Sequence, residues 1–214
     1  MVFLLEHLLI FFQISFLSLL LSISGFLFKR FFFNNYNNTS YEENGLFGFI
    51  LLGFFALFLN FFFPLSLLVN NLTLILILIL GINFNFFSQK ISKLLKKIFF
   101  TSLLAYIFII YANVNRPDAF LYHLPYSKII NDDKIILGLT NLHSRFGHIS
   151  IFQYISSLFV NSFFTTKGVL IPISLVPSFF FIYCFKKFKK NFQDEQARLF
   201  SYIIFVILII SLYS

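Results

Sequence analysis

The chain has 214 residues, of which 59% are hydrophobic and 11% charged, and it carries a formal charge of +8. A water-soluble domain is about 25% charged, so too few polar side chains exist to cover a water-facing surface. This composition therefore points to lipid as the solvent. The basic balance does not indicate nucleic acid, because the lysines and arginines cluster beside apolar runs, where they set orientation against anionic headgroups. One cysteine, Cys184, excludes a disulfide or a cysteine metal cluster within the chain. Phe is abundant, at 37 residues, and Trp is absent. Phe, Asn, Ile and Lys share A/T-rich codons, so this bias carries little functional information.

A helix crosses the hydrocarbon core with about 20 apolar residues. Residues 3–28 qualify, with Glu6 and His7 near the start, and no basic segment precedes them as it would in a signal peptide. Residues 45–69 form the second candidate, which Pro64 kinks or ends early. Residues 72–87 form a short third span, with Asn70 and Asn71 expected to make the turn of a helical hairpin. Residues 98–114, 168–185 and 199–214 complete the set. The expected fold is all-α, a polytopic bundle of about six spans, within a range of five to seven. Residues 1–97 hold three spans. Residues 98–214 hold the rest, with a polar loop over 115–149.

Lysine and arginine fix the orientation. Lys29 with Arg30, the group Lys90, Lys93, Lys96 and Lys97, and the group from Lys186 to Arg198 all lie in the cytoplasm under the positive-inside rule. The N-terminus and the loop 115–149 then lie outside. An odd number of crossings must separate Val114 from Lys186. Ser150, Gln153, Tyr154, Ser157 and Asn161 fall on one stripe at helical spacing, with Phe152, Ile155, Phe159 and Phe163 off it. Parity makes 150–163 an amphipathic helix lying along the outer interface rather than a seventh span lining a polar cavity.

The loop 115–149 concentrates chemistry. It holds His123, His143, Asp118, Asp132, Asp133, Arg116 and Arg145, and His148 near its end. A partly desolvated carboxylate such as Asp118 suits a general base, or a ligand to a divalent cation bridging a phosphate. On the residues alone, a helix cap or a salt bridge to Arg116 or Arg145 is the simpler explanation. His143 and His148 are five apart, which does not match zinc spacing, so no metal site is expected. Arg145 suits either a bound phosphate or a lipid headgroup.

The segment Asp118-Ala119-Phe120-Leu121-Tyr122-His123-Leu124-Pro125 resembles the outer-loop motif of bacterial polytopic glycosyltransferases of the GT-C type. The segment from Gly138 through Asn141, His143 and Arg145 to His148 resembles a second block in uncharacterised relatives of those enzymes. The resemblance covers roughly 98–163. It implies a polyprenyl-phosphate sugar donor, transfer in envelope polysaccharide assembly, and residence in the bacterial inner membrane. Asp118 would act on the acceptor hydroxyl, with Arg116, Tyr122, His123, His143, Arg145 and His148 binding substrate. GT-C enzymes are about twice as long, so the resemblance implies an N-terminal part that works with a missing C-terminal part or a partner subunit. Membrane lipids are the other expected partners. Two further classes fit the residues: a non-catalytic or truncated membrane protein, and a component of a lipid-linked saccharide transporter.

Overall fold

The computed structural model describes residues 2–33, 40–88, 91–111, 119–147, 150–190, 199 and 202. Among them the fold is all-α, with no strand. Five long helices form a bundle: α1 (Val2–Phe32), α2 (Tyr41–Phe62), α3 (Leu67–Asn83), α4 (Ile91–Tyr111) and α7 (Ile171–Lys190). Two short ones, α5 (Leu124–Asp132) and α6 (Ile151–Leu158), join 3-10 and π turns in a cap at one end. Helices α1 and α2 are long and apolar enough to cross a membrane. Helix α3, at 17 residues, is shorter, and α4 and α7 carry lysines in their first and last turns. The last expected span, 199–214, lies outside the described residues except for Leu199 and Tyr202. The expected boundary at residue 97 falls inside α4, which begins at Ile91.

The closest packing is between α1 and α2. A side chain on Gly25 would overlap the backbone carbonyl of Asn44, and one on Gly48 would overlap that of Leu21. Two helices meet here backbone to backbone, as helices do where lipid offers no hydrophobic drive and small residues allow close van der Waals contact. Around this crossing the interior is polar as well as apolar. Ser18, Ser22 and Ser24 are buried, and the Ser18 hydroxyl lies 3.0 Å from that of Tyr41.

One end of the bundle is basic. Lys29 forms an ion pair with Glu43 at 3.5 Å, and Arg30 donates to the Phe84 carbonyl at 3.0 Å, so the end of α1 holds the start of α2 and the end of α3. Lys186 of α7 bonds the buried Glu42, and Lys97 of α4 lies within electrostatic range of both. Helix α2 starts on a capping box in which Ser40 and Glu43 satisfy each other's backbone amides. The ends of α1, α4 and α7 thus bring their lysines together around the acidic start of α2.

The hairpin turn is not at Asn70 and Asn71. Those residues lie in the first turns of α3, and the chain breaks four to seven residues earlier, at 63–66. Pro64 is the cause. It has no amide hydrogen, and it forces Phe63 out of the helical region, to φ −138° and ψ 145°.

Helix α6 has eight residues and spans about 12 Å. It is too short to cross a bilayer, so a seventh span over 150–163 is excluded. Its polar stripe is not turned to an outer interface: Tyr154, Ser157 and Asn161 are buried, and so are Ile155 and Phe159 off the stripe, while Phe152 is exposed. The Ser157 hydroxyl bonds the Ser127 carbonyl and the Asn161 side chain accepts from Phe163 and Phe164, so these polar groups find partners within the protein.

The α1–α2 crossing makes a direct prediction. Gly25→Leu or Gly48→Leu drives a side chain into backbone, which costs about 3 kcal/mol or more. Thermal unfolding of the purified protein in detergent should fall by many degrees. Phe54→Leu, on the exposed face of α2, should leave it unchanged. Equal melting of all three would refute the crossing.

Candidate functional site

The cap covers the end of the bundle opposite Lys29, Lys97 and Lys186. Three asparagine side chains hold it there. The Asn60 side-chain amide, near the end of α2, reaches the carbonyls of Ile130 (3.2 Å) and Asp133 (3.0 Å), and the Asn60 main-chain carbonyl accepts from the Ile135 amide at 3.0 Å. The Asn70 amide nitrogen lies 2.7–2.9 Å from the carbonyls of Leu65, Ser157 and Val160. The Asn131 amide donates to Leu65 (2.6 Å) and Ser157 (2.9 Å). A helix end exposes carbonyls with no partner in their own helix. Each asparagine lends amide hydrogens to several of them, at the break after α2 and at the ends of α5 and α6.

The next turn is fixed in the same way. The Asn161 side-chain oxygen accepts from the amides of Phe163 (2.9 Å) and Phe164 (2.9 Å), and the Gln13 amide of α1 donates to the Phe163 carbonyl at 2.7 Å. Helix α6 itself starts on a capping box of Ser150 with Gln153.

Between α5, the end of α2 and the 133–140 segment is a cavity of about 220 Å³, with Asn60, Tyr126, Phe146 and Tyr154 among its walls. Tyr126 and Phe146 stack with centroids 5.6 Å apart. Burial, together with the hydrogen bond and charge of Tyr126, raises the pKa of the Tyr154 hydroxyl far above its usual value of 10.0. It stays protonated at any physiological pH. The cavity walls thus combine aromatic rings with Asn60 and one residue of each charge, Asp133 and Lys134. That combination suits a neutral polar molecule with apolar faces better than an anion.

Four of the predicted substrate-binding residues are brought together next to this cavity. The Arg145 guanidinium lies 4.7 Å over the Tyr122 ring, and Tyr122 packs on His123 with centroids 4.2 Å apart. The Arg145 backbone amide donates to Nδ1 of His143 at 3.2 Å, and the His143 ring lies against Phe146 at 5.4 Å. Phe146 therefore joins this cluster to Tyr126 and the cavity. Two segments some twenty residues apart in sequence form one surface. Asp118, Arg116 and His148 lie outside the described residues. No group of three or more His, Cys, Asp or Glu side chains arranged to hold a metal occurs among the described residues.

The anchoring asparagines are the functional positions that sequence reasoning missed. Their signal was available: Asn60, a lone amide, and the Asn70-Asn71 pair each interrupt an apolar run, where an unsatisfied polar group is costly and one with a partner fixes packing. Asn70 was instead assigned to a turn.

The geometry defines an all-α bundle with apolar flanks, one basic end and one polar, cavity-bearing cap. The chain belongs to the family described as a domain of unknown function, DUF8201, which matches residues 8–214. No curated protein and no solved structure matches it.

Asn70→Leu removes the shared donor and strands backbone carbonyls, at about 1–3 kcal/mol for each one left unpaired. Amide hydrogen exchange over 154–165 should quicken at least tenfold, while exchange in the centre of α1 stays slow. Uniform protection in the variant would show that Asn70 does not anchor the cap.

Proposed function

We propose that the chain is an integral membrane protein whose cap faces the outer side and takes part in sugar transfer from a polyprenyl-phosphate donor, in the manner of the GT-C enzymes that its loop resembles. The observation that carries the membrane reading is the inverted distribution of side chains. Phe58, Phe62, Leu68, Leu72 and Phe100 are each 57–67% exposed, while Asn70, Ser18 and Thr101 are wholly buried. A water-soluble monomer rarely exposes apolar surface on this scale. A bundle in lipid does so on every outward face. The proposed location is the bacterial inner membrane, crossed about six times if 199–214 forms a further span, with the lysine end in the cytoplasm.

The transferase reading is supported by the meeting of the two GT-C-like segments. Arg145 from the second lies over Tyr122 from the first, next to an aromatic-walled cavity. Aromatic faces with neutral hydroxyl and amide groups suit a sugar, and a guanidinium suits a lipid phosphate. In this proposal Asp118 takes the proton of the acceptor hydroxyl as that oxygen bonds to the anomeric carbon and the polyprenyl phosphate departs. Arg145 receives the charge left on the phosphate, while His143 orients Arg145 through its backbone. Arg116, Tyr122, His123 and His148 complete the binding surface, and a partner subunit supplies the rest of the donor site.

One observation favours the non-catalytic alternative. Most polar groups of the anchoring network are spent on backbone carbonyls, which is the expenditure of a scaffold. Transfer in sealed vesicles of both orientations separates the two. The transferase reading predicts product on the outer face only. It predicts a loss of about 10²–10⁴-fold in Asp118→Asn, and a raised KM for donor in Arg145→Gln. Unchanged transfer in both variants, or none in the wild type, would favour the scaffold.

A further inference from the structure

The bundle's basic end carries a second feature that the cap does not use. Lys93, Lys96, Phe100, Leu103, Ile107 and Ile110 of α4 follow one another at intervals of three and four residues, so they lie along one side of the helix. All six are exposed. The side therefore reads, from the basic end inward, as two ammonium groups followed by an unbroken apolar track about 15–20 Å long. The opposite side of α4, with Leu94, Thr101 and Ala105, is buried against the bundle.

The acids at this end do not neutralise the two lysines. Among the described residues they are Glu42 and Glu43, and both are engaged elsewhere. Glu42 bonds Lys186 and lies near Lys97, and Glu43 pairs with Lys29. Lys93 and Lys96 thus present positive charge outward, directly above a surface fit only for hydrocarbon.

We infer that this side of α4 is a binding site for an anionic phospholipid, with the headgroup phosphate between Lys93 and Lys96 and an acyl chain along Phe100, Leu103 and Ile107. The inference rests on the membrane reading above and is independent of the transferase reading. Charge complementarity selects the headgroup, since each lysine near a membrane surface favours anionic lipid. The apolar track distinguishes a lipid from a free phosphate, which would gain nothing from Phe100 and Leu103. The long stems of the lysines reach upward while their methylenes stay on the apolar surface.

Native mass spectrometry of the full chain tests this, after purification in detergent and titration with phosphatidylglycerol or phosphatidylcholine of identical acyl chains. Wild type should retain phosphatidylglycerol at least tenfold better than phosphatidylcholine. K93Q/K96Q should lose roughly tenfold of that preference, K93R/K96R should keep it, and K128Q/K167Q at the cap should not alter it. Excess inorganic phosphate should not displace the lipid. Equal retention of the two lipids by wild type, an unchanged preference in K93Q/K96Q, or displacement by inorganic phosphate would overturn the site. Extraction of the chain from membranes by alkaline carbonate would instead refute the membrane reading, so the two failures are told apart.

Discussion

The backbone of α1 passes α2 at Gly25 and Gly48 with no room for a side chain between them. That contact sets the position of everything else. It brings Lys29 to Glu43 and Arg30 to the end of α3, so three helices are tied at one end by one crossing. Gly45 extends the same face, where any side chain would meet the Phe179 ring of α7. Small residues along one side of α2 thus receive α1 and α7. Serine hydroxyls in the seam bond locally or to Tyr41, while the side-chain oxygen of the buried Asn44, beside Gly25, has no hydrogen-bond partner. On the proposed membrane reading, the arrangement follows from the solvent. In hydrocarbon, association gains little from burying apolar area, and close backbone contact supplies the attraction instead.

A bundle fixed in this way has two unlike ends, and each solves the problem of unpaired backbone differently. At the basic end, charged side chains reach backbone and acid partners. At the cap end, uncharged asparagines do the work, because the carbonyls at the 63–66 break and beneath α6 are buried. A charge there would be costly to desolvate, whereas an amide donates and accepts without one. The cavity is a by-product of that scaffold. Asn60 ties the 130–135 segment to α2's last turn, and Tyr126 and Tyr154 line the space beside it.

The parts of this fold that were legible in the sequence were those governed by length and charge. The helical runs, the grouping of Lys29, Lys97 and Lys186 at one end and the break near Pro64 all follow from patterns a few residues wide. Asn70 was misread because Asn-Asn looks like a turn, and nothing local reveals that Pro64 has already made one. The stripe on 150–163 was found, but its direction was not. A polar stripe indicates a partner for hydrogen bonds, and only the fold says whether that partner is water or the carbonyls served by Asn70 and Asn131. The proximity of Arg145 to Tyr122 lies beyond any local pattern, since it depends on how the cap folds back. The roles assigned to Asp118, Arg116 and His148 concern residues outside those described, and rest on resemblance.

The central claim is a membrane-embedded bundle with its cap and its lysine end on opposite sides. It is tested most directly by cysteine accessibility in intact cells, with Cys184 replaced by serine and single cysteines placed at Thr140 in the cap and Asn83 at the basic end. Both positions are exposed. A membrane-impermeant maleimide should label Thr140→Cys in intact cells and Asn83→Cys only after the membrane is opened. Labelling of both in intact cells, or of Asn83→Cys alone, would contradict the account.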